Sequence, residues 1–230
     1  VATAFAVIFG KEVFGGTGMN IWNPALIARA FLFFAYPSKI SGDTVWYSNC
    51  VDGFTGPTAL SLAGTGDYTT YSIMDCIIGN IPGSIGETSV IAIGLGAILL
   101  LVTGIASWKT MFSVIAGGAI RGWVFNNFGA ADNAMAMLPW YQHLIIGGFA
   151  FGAVFMATDP VTSPRTECAR YIYGFLIGAM AIIIRVLNPG YPEGMMLAIL
   201  LMNTLAPLFD YFVIQKNISK RKNRVKTAKA

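Results

Sequence analysis

The chain has 230 residues, of which 55% are hydrophobic and only 11% are charged, with a net charge of +4 and a mean hydropathy of +0.63. A soluble domain usually carries about 25% charged residues, so this composition argues against a water-soluble globular protein. Several apolar stretches approach the roughly 20 residues that cross a bilayer, which predicts an all-α, polytopic transmembrane helical bundle.

The first two apolar segments are too short to span a membrane. Residues 1–10 lack an initiating Met and a basic leader, so they are interpreted as the end of a helix and the chain as part of a longer one. Residues 24–36 begin with Pro24 at a favourable first helical position and stop before Pro37. This segment would cover only about 20 Å, which predicts a half-helix or a tilted, packed helix.

Five full spans follow, separated by polar or Gly/Pro-rich segments. They are predicted at residues 85–107, 110–128, 141–157, 171–187 and 195–214. With the shorter segments they make up a predicted transmembrane domain over residues 1–214.

The charges predict an orientation. The tail, residues 215–230, contains seven cations and no acid: Lys216, Lys220, Arg221, Lys222, Arg224, Lys226 and Lys229. Next to a membrane helix such a run indicates a cytoplasmic anchor rather than a nucleic-acid site. Counting spans back from the tail places residues 38–84, where acids outnumber the single Lys39, on the outside.

A weak internal echo relates two parts of the chain. Asn23-Pro24 is followed by a Pro-Gly turn and Glu87, and Asp159-Pro160 is followed by a Pro-Gly turn and Glu193. Broken helices arranged as internal repeats are common in transporter folds. A repeat and a chance recurrence of helix-capping residues both explain the pattern, and the sequence leaves the choice open.

Two loops contain candidate binding groups. In the run from Asp52 to Leu60, the Gly56-Pro57 turn would present the Thr58 hydroxyl to a modifying enzyme, although the spacing alone favours a plain loop with helix-capping threonines. In the glycine-rich run before Pro24, the side chains of Asn20 and Asn23 can donate and accept hydrogen bonds, as the edge of a flavin ring requires. Asn23 is also the natural N-cap of the following helix.

The remaining candidates are acids near membrane segments: Glu87, Asp159, Glu193 and Asp210. Ionisable groups there are costly and often mark ion paths, and carboxylates are suitable ligands for sodium. Each acid has a structural alternative, as a first-turn charge, an N-cap or, for Asp210, a partner of Lys216. The cysteines Cys50, Cys76 and Cys168 and the single His143 are too scattered to predict a metal or iron–sulfur site, while pairing of Cys50 with Cys76 stays open.

The chain contains several long motifs: FGGTGMNIWNPALIARAFLFFAYP (14–37), VDGFTGPTALS (51–61), GNIPGSIGETS (79–89), MATDPVTSP (156–164), NPGYPEGMMLAILLMN (188–203) and APLFDYFVIQKNISKRK (206–222). Together these motifs resemble the B-subunit family of sodium-translocating NADH:quinone reductases. The resemblance runs through essentially the whole chain. The family has further N-terminal membrane helices upstream of the segment corresponding to Val1.

The resemblance implies cofactors and an ion. FMN would be joined through its phosphate to Thr58 by a separate flavin transferase on the extracytoplasmic side, within residues 38–84. Pro57 departs from the alanine usual in the family, which puts recognition by the transferase in doubt. Riboflavin would contact Asn20 and Asn23, and the acids tied to sodium uptake correspond to Glu87, Asp159 and Asp210.

The implied activity is electron relay toward ubiquinone coupled to Na⁺ translocation, in a six-subunit complex of the bacterial inner membrane. A chain of this kind is not expected to act alone, because its electron donor and most of its quinone pocket lie elsewhere. One alternative is the D subunit of the related Rnf complex, which serves a ferredoxin:NAD oxidoreductase. The other is a flavin-free solute channel or transporter, which broken helices also suit.

Overall fold

The computed structural model describes residues 1–37, 57–84, 86–130, 133–188 and 190–229, with side chains described as far as Arg224. All secondary-structure elements in these ranges are helical. Most of the predicted Thr58 loop, residues 38–56, lies outside the described residues. The prediction of an all-α chain is confirmed, and the internal repeat stays a prediction.

Helices α1 (Ala2–Gly10) and α2 (Pro24–Ala35) pack against each other at the N-terminal end. The Asn23 side chain accepts a hydrogen bond from the Ala25 amide, and Pro24 occupies the first turn, so α2 begins where the sequence predicts. Helix α2 has 12 residues, which gives a length of about 18 Å and confirms a segment shorter than a full span.

Two short helices follow in the predicted outer region: α3 (Ala59–Thr65) and α4 (Ile73–Ile78). Each begins at a side-chain cap and ends at a glycine with positive φ, Gly66 after α3 and Gly79 after α4. These local signals fix both short helices.

Helix α5 (Val90–Val102) is shorter than the span predicted over residues 85–107. Ser89 caps its start, and Gly104 adopts a positive φ of 71° just beyond its end. At 13 residues α5 is about 20 Å long, so the prediction of a full span there was wrong. Helix α6 (Trp108–Phe128) has 21 residues and agrees with the predicted span at 110–128.

The span predicted over residues 141–157 is not one helix. A one-turn helix, α7 (Ala134–Met137), is followed by α8 (Gln142–Ile145) and then by α9 (Phe149–Phe151), which continues into a π-helical turn (Gly152–Met156). Gly147 interrupts the segment with a φ of +71°, a conformation that glycine adopts readily. Single π-turns often occur at functional sites.

Helices α10 (Glu167–Leu187) and α11 (Met195–Lys229) complete the fold. Helix α10 packs closely on α6: a Cβ added at Gly178 would lie 2.0 Å from the Val114 carbonyl oxygen, and one at Gly117 would lie 2.2 Å from the Phe175 oxygen. Small residues at such contacts let membrane helices approach closely. The basic tail is helical and continuous with α11.

Two helical segments of the described chain are long and apolar enough to cross a membrane, Glu167–Leu187 and Met195–Arg224. Many large apolar side chains on α5 and α6 are exposed, among them Leu95, Leu99 and Phe112. An apolar face of this extent is suited to lipid or to other apolar helices.

Candidate functional site

Four charged residues from separate elements form a partly buried group near Gly148, which we call the arginine–glutamate cluster: Arg29, Glu87, Arg185 and Glu193. Arg29 of α2 forms an ion pair with Glu193, which precedes α11. A Cβ placed on Gly148 would lie 2.6 Å from Glu193 Oε1 and 2.9 Å from Glu87 Oε2, so both carboxylates approach the same point. Sequence analysis had named Glu87 and Glu193 without predicting that they meet.

Arg185, in the last turn of α10, is the most deeply buried member of the cluster, with 1% of its surface exposed. Its Nη1 donates to the His143 carbonyl at 2.6 Å and its Nε donates to the Pro192 carbonyl at 3.2 Å. Its Nη2 has no hydrogen-bond partner among the described residues. The guanidinium therefore ties the interrupted 142–156 segment to the turn before α11.

Asn23 and Asp159 are in contact although 136 residues separate them. Asn23 Nδ2 donates to Asp159 Oδ2 at 3.4 Å, while Asn23 Oδ1 accepts from the Ala25 amide at 2.9 Å. A predicted flavin ligand and a predicted sodium ligand are thus neighbours. No sequence pattern indicated this contact.

Asp159 follows the π-helical turn and is surrounded by neutral donors. The Val161 amide donates to Oδ1 at 3.0 Å, and the Thr162 hydroxyl donates to Oδ2 at 3.1 Å. These bonds close a turn rather than a helix, because α10 begins only at Glu167. Within the part of the chain that is described, no lysine or arginine forms an ion pair with Asp159.

Asp210, on α11, holds the start of α10. Its carboxylate accepts from the Arg165 amide at 2.8 Å, from the Thr166 amide at 2.9 Å and from the Thr166 hydroxyl at 2.6 Å. The suggested partner Lys216 is not involved in these bonds. Glu87 has a local bond of its own, because its Oε1 accepts from the Ser84 amide at 3.1 Å.

Thr58 is the N-cap of α3, and its Oγ1 accepts from the Ser61 amide at 3.2 Å. The residue is half-buried, and the preceding Pro57 carbonyl accepts from the Tyr71 hydroxyl at 3.3 Å. The capping alternative raised by the sequence is therefore present in the fold. A capping hydroxyl that accepts one bond at a partly exposed position keeps its own O–H group accessible.

Asn20 lies in the glycine-rich loop before α2, where its Nδ2 donates to the Trp22 carbonyl at 3.2 Å. Trp22 packs edge-on against Phe14, with ring centroids 5.7 Å apart. The other side of Trp22 faces an open apolar cavity of about 570 Å³, also lined by Phe5, Ile27, Ala30, Phe31, Phe34, Ala35 and Leu200. The aromatic walls of this cavity suit the face of a flat ring, and its lining includes neither Asn20 nor Asn23.

The cysteines are unequal. Cys76 is buried in α4, and burial raises the pKa of its thiol, whereas Cys168 is exposed. A buried, protonated thiol is a poor nucleophile. Cys50, the suggested disulfide partner of Cys76, lies outside the described residues. No group of three His, Cys, Asp or Glu in the described ranges is arranged to hold a metal ion.

Comparison with known proteins gives a consistent result. Residues 1–219 match the sequence model of the family described as NQR2, RnfD, RnfE. The chain is 53% identical over 224 residues to the B subunit of the Na(+)-translocating NADH-quinone reductase of Chromohalobacter salexigens, covering 96% of this chain and 54% of that protein. It is 54% identical over 225 residues to the protein of the same name from Pseudoalteromonas atlantica, covering 96% and 55%. The chain spans about half the length of these relatives.

Proposed function

Because this chain belongs to the NQR2, RnfD, RnfE family, we propose that it is part of a polytopic membrane flavoprotein, the B subunit of a sodium-translocating NADH:quinone reductase. The observation that carries the proposal is the identity of 53% over 224 residues to a protein of that name. The same family model includes Rnf subunits, but the relatives compared above are named as NADH-quinone reductase subunits, which favours that function over the Rnf alternative.

In this proposal Thr58 carries FMN through a phosphoester. The half-buried Thr58 hydroxyl at the start of α3 supports attachment, since it stands at an element boundary rather than inside the bundle. We place riboflavin beside Asn20 and Asn23, and Trp22, which lies between them in the sequence, lines an apolar cavity. When bound, these flavins supply the redox chemistry, and this chain's residues position them and set their surroundings.

Asp159 is the first choice for a sodium ligand, followed by Asp210 and Glu87. The Asp159 carboxylate accepts hydrogen bonds from the Asn23 side chain, the Val161 amide and the Thr162 hydroxyl. No lysine or arginine of the described residues forms an ion pair with it. A carboxylate with no opposing lysine or arginine is suited to a hard cation, whereas Glu193 already forms an ion pair with Arg29. Sodium is the transported ion, and ubiquinone is the electron acceptor.

The proposed location is the bacterial inner membrane, with the basic end of α11 in the cytoplasm and Thr58 on the outer side. Cations concentrated at the end of a membrane helix support this orientation. The proposed partners are the other five subunits of the complex, membrane lipid and a flavin transferase that modifies Thr58. The chain is expected to be inactive by itself.

The test is in-gel fluorescence of the denatured chain after co-expression with a flavin transferase. Thr58→Asn is the informative variant, because asparagine caps a helix as well as threonine does but cannot form the phosphoester. Thr65→Val, on the same helix, is the matched control. We expect fluorescence in the wild type and in Thr65→Val and none in Thr58→Asn. Absence of fluorescence from all three, beside a working transferase control, would exclude the covalent flavin and leave the transporter alternative.

A further inference from the structure

Helix α11 runs antiparallel to α10 in a fixed register. The Tyr173 hydroxyl donates to Asn203 Oδ1 at 2.6 Å, and the Asp210 carboxylate accepts from the Thr166 amide and hydroxyl at the start of α10. The two contacts are seven residues apart on each helix, from 166 to 173 and from 203 to 210. Because α10 begins at Glu167, the part of α11 after Asp210 extends past the start of its neighbour.

This part, residues 211–229, is called the projecting helix below. It contains neither glycine nor proline, the usual causes of a sharp kink, and α11 is continuous as far as Lys229. Pro207 precedes Asp210, so the contact of Asp210 with α10 sets the direction of the helix beyond it. At 1.5 Å per residue the projecting helix extends about 28 Å past the start of α10.

That length takes most of its cations away from lipid headgroups. Trp108, at the start of α6, packs edge-on against Tyr171 of α10, and tryptophan and tyrosine are enriched at the membrane surface. Headgroups add about 5–8 Å to each side of the hydrocarbon core, and their potential decays within about 8 Å at physiological ionic strength. Arg221 and the four later cations lie about 16 Å or more past Asp210. An anionic bilayer surface therefore reaches only the first cations of the projecting helix.

The projecting helix also has an apolar stripe. Tyr211, Ile214 and Ile218 are exposed, and their spacing of three and four residues places them on one side of the helix. Arg221 and Lys222 lie on either side of this stripe, three and four residues after Ile218. A surface of this kind is typical of helices that bind in an apolar groove of a protein partner.

The charge of the projecting helix specifies the partner further. The chain contains no acid after Asp210. Lys216 and Lys220 are four residues apart, as are Lys220 and Arg224, and like charges at this spacing destabilise an isolated helix. Carboxylates on a partner would offset this repulsion.

We propose that the projecting helix docks in an acidic groove with an apolar floor on a cytoplasmic protein partner. The inference rests on the proposed function, in which the partner is another subunit of the same reductase. The floor of the groove receives Ile214 and Ile218, and its acidic walls face Arg221 and Lys222. Apolar contact supplies affinity, while the paired charges set the orientation and the rate of docking.

The first test is photocrosslinking in the complete complex, in its own membrane. Benzoylphenylalanine in place of Ile218 should form an adduct with a second subunit, identified by mass spectrometry. The matched control replaces Asn217, which is also exposed but points about 100° away around the helix, and should form several-fold less of that adduct. Adducts with phospholipid alone, equal adducts from the two positions, or no adduct at all would each overturn the inference.

The second test measures release of that subunit from complex immobilised through this chain, over a range of KCl concentrations. Ile218→Glu should raise the Kd about tenfold, because it places a carboxylate against an apolar, acidic groove. Asn217→Glu adds the same charge away from the stripe and should raise the Kd less than about threefold. If the wild-type chain retains no other subunit, the proposed function fails. If it retains the complex and Ile218→Glu holds the partner equally tightly, only the docking inference fails.

Discussion

The carboxylates of the arginine–glutamate cluster and those of Asp159 and Asp210 have different kinds of partner. In the cluster, Arg29 faces Glu193 directly, and the buried Arg185 lies nearby. At the aspartates, the described partners are backbone amides, hydroxyls and one asparagine. The cluster contains its own cations, whereas no lysine or arginine of the described residues forms an ion pair with either aspartate.

This difference bears on which acids can serve a transported cation. A carboxylate already opposed by a guanidinium gains little from Na⁺ and would lose its partner. One held by neutral donors is oriented but not neutralised, so a cation can add to it. The comparison therefore favours Asp159 and Asp210 over Glu193 as the proposed sodium ligands, while the ion pair of Arg29 with Glu193 joins α2 to the start of α11.

Glu193→Ala should have the largest effect on stability. It leaves Arg29 and Arg185 opposed only by Glu87, and removal of one partner from a buried pair typically costs about 3–5 kcal/mol. A third of the Arg29 side chain is exposed, so we expect a loss of about 3 kcal/mol, measured by unfolding in mixed micelles.

Two controls sharpen this result. Glu167→Ala removes the exposed partner of Lys109 and Arg170 and should cost less than about 1 kcal/mol. The double variant Arg29→Leu/Glu193→Leu should recover most of the loss, because no unpaired charge remains at that position. A double variant as unstable as Glu193→Ala would contradict the interpretation of the cluster as a charge-balanced structural unit.

Gly148→Ala tests whether the carboxylates converge as described. The new methyl group would lie within 3 Å of oxygens of both Glu87 and Glu193, so we expect a loss of about 1–3 kcal/mol from overpacking. Gly94→Ala on α5 is the control, because a Cβ there meets nothing within 4 Å, and alanine favours the helix over glycine by roughly 1 kcal/mol. Equal thermal stability of the two variants would contradict the convergence of Glu87 and Glu193 at Gly148.

Asp210→Ala should reduce stability less than Glu193→Ala does. It removes three hydrogen bonds at the start of α10, and loss of a helix cap typically costs about 1–2 kcal/mol. Asp210→Asn keeps one carbonyl acceptor and should lose less than half of that in the same unfolding assay. If both variants were equally unstable, the negative charge of Asp210, rather than its accepting geometry, would be responsible.

The smallest effect concerns Asp67, in the loop between α3 and α4. The pKa of Asp67 is lowered from 3.8 to about 2, chiefly by a hydrogen bond from the Thr70 hydroxyl and next by one from the Thr69 amide. Because the folded value is the lower one, this stabilisation is complete above about pH 4 and disappears as the pH falls through about 2. The stability difference between wild type and Asp67→Asn should be constant between about pH 7 and 5 and vanish near pH 2.

The sequence by itself determined the class of the molecule and its local helix signals. Apolar composition predicted a membrane protein, and the caps at Asn23 and Thr58 were identified because a capping bond joins residues only two or three apart. The prediction from apolar content was wrong at residues 141–157, where one span was expected. Gly147 interrupts that segment with a positive φ, a conformation that the tertiary packing selects and the local sequence does not.

Only the tertiary structure decided which acids meet which partners. Asn23 reaches Asp159, Asp210 reaches Thr166 across 44 residues, and Glu87 and Glu193 converge at Gly148. Charge and hydrogen-bonding capacity can be inferred from residue type, but the strength of each hydrogen bond or ion pair depends on distances of a few ångströms. Those distances are set by how closely the helices pack, and packing is a property of the whole chain rather than of any one segment.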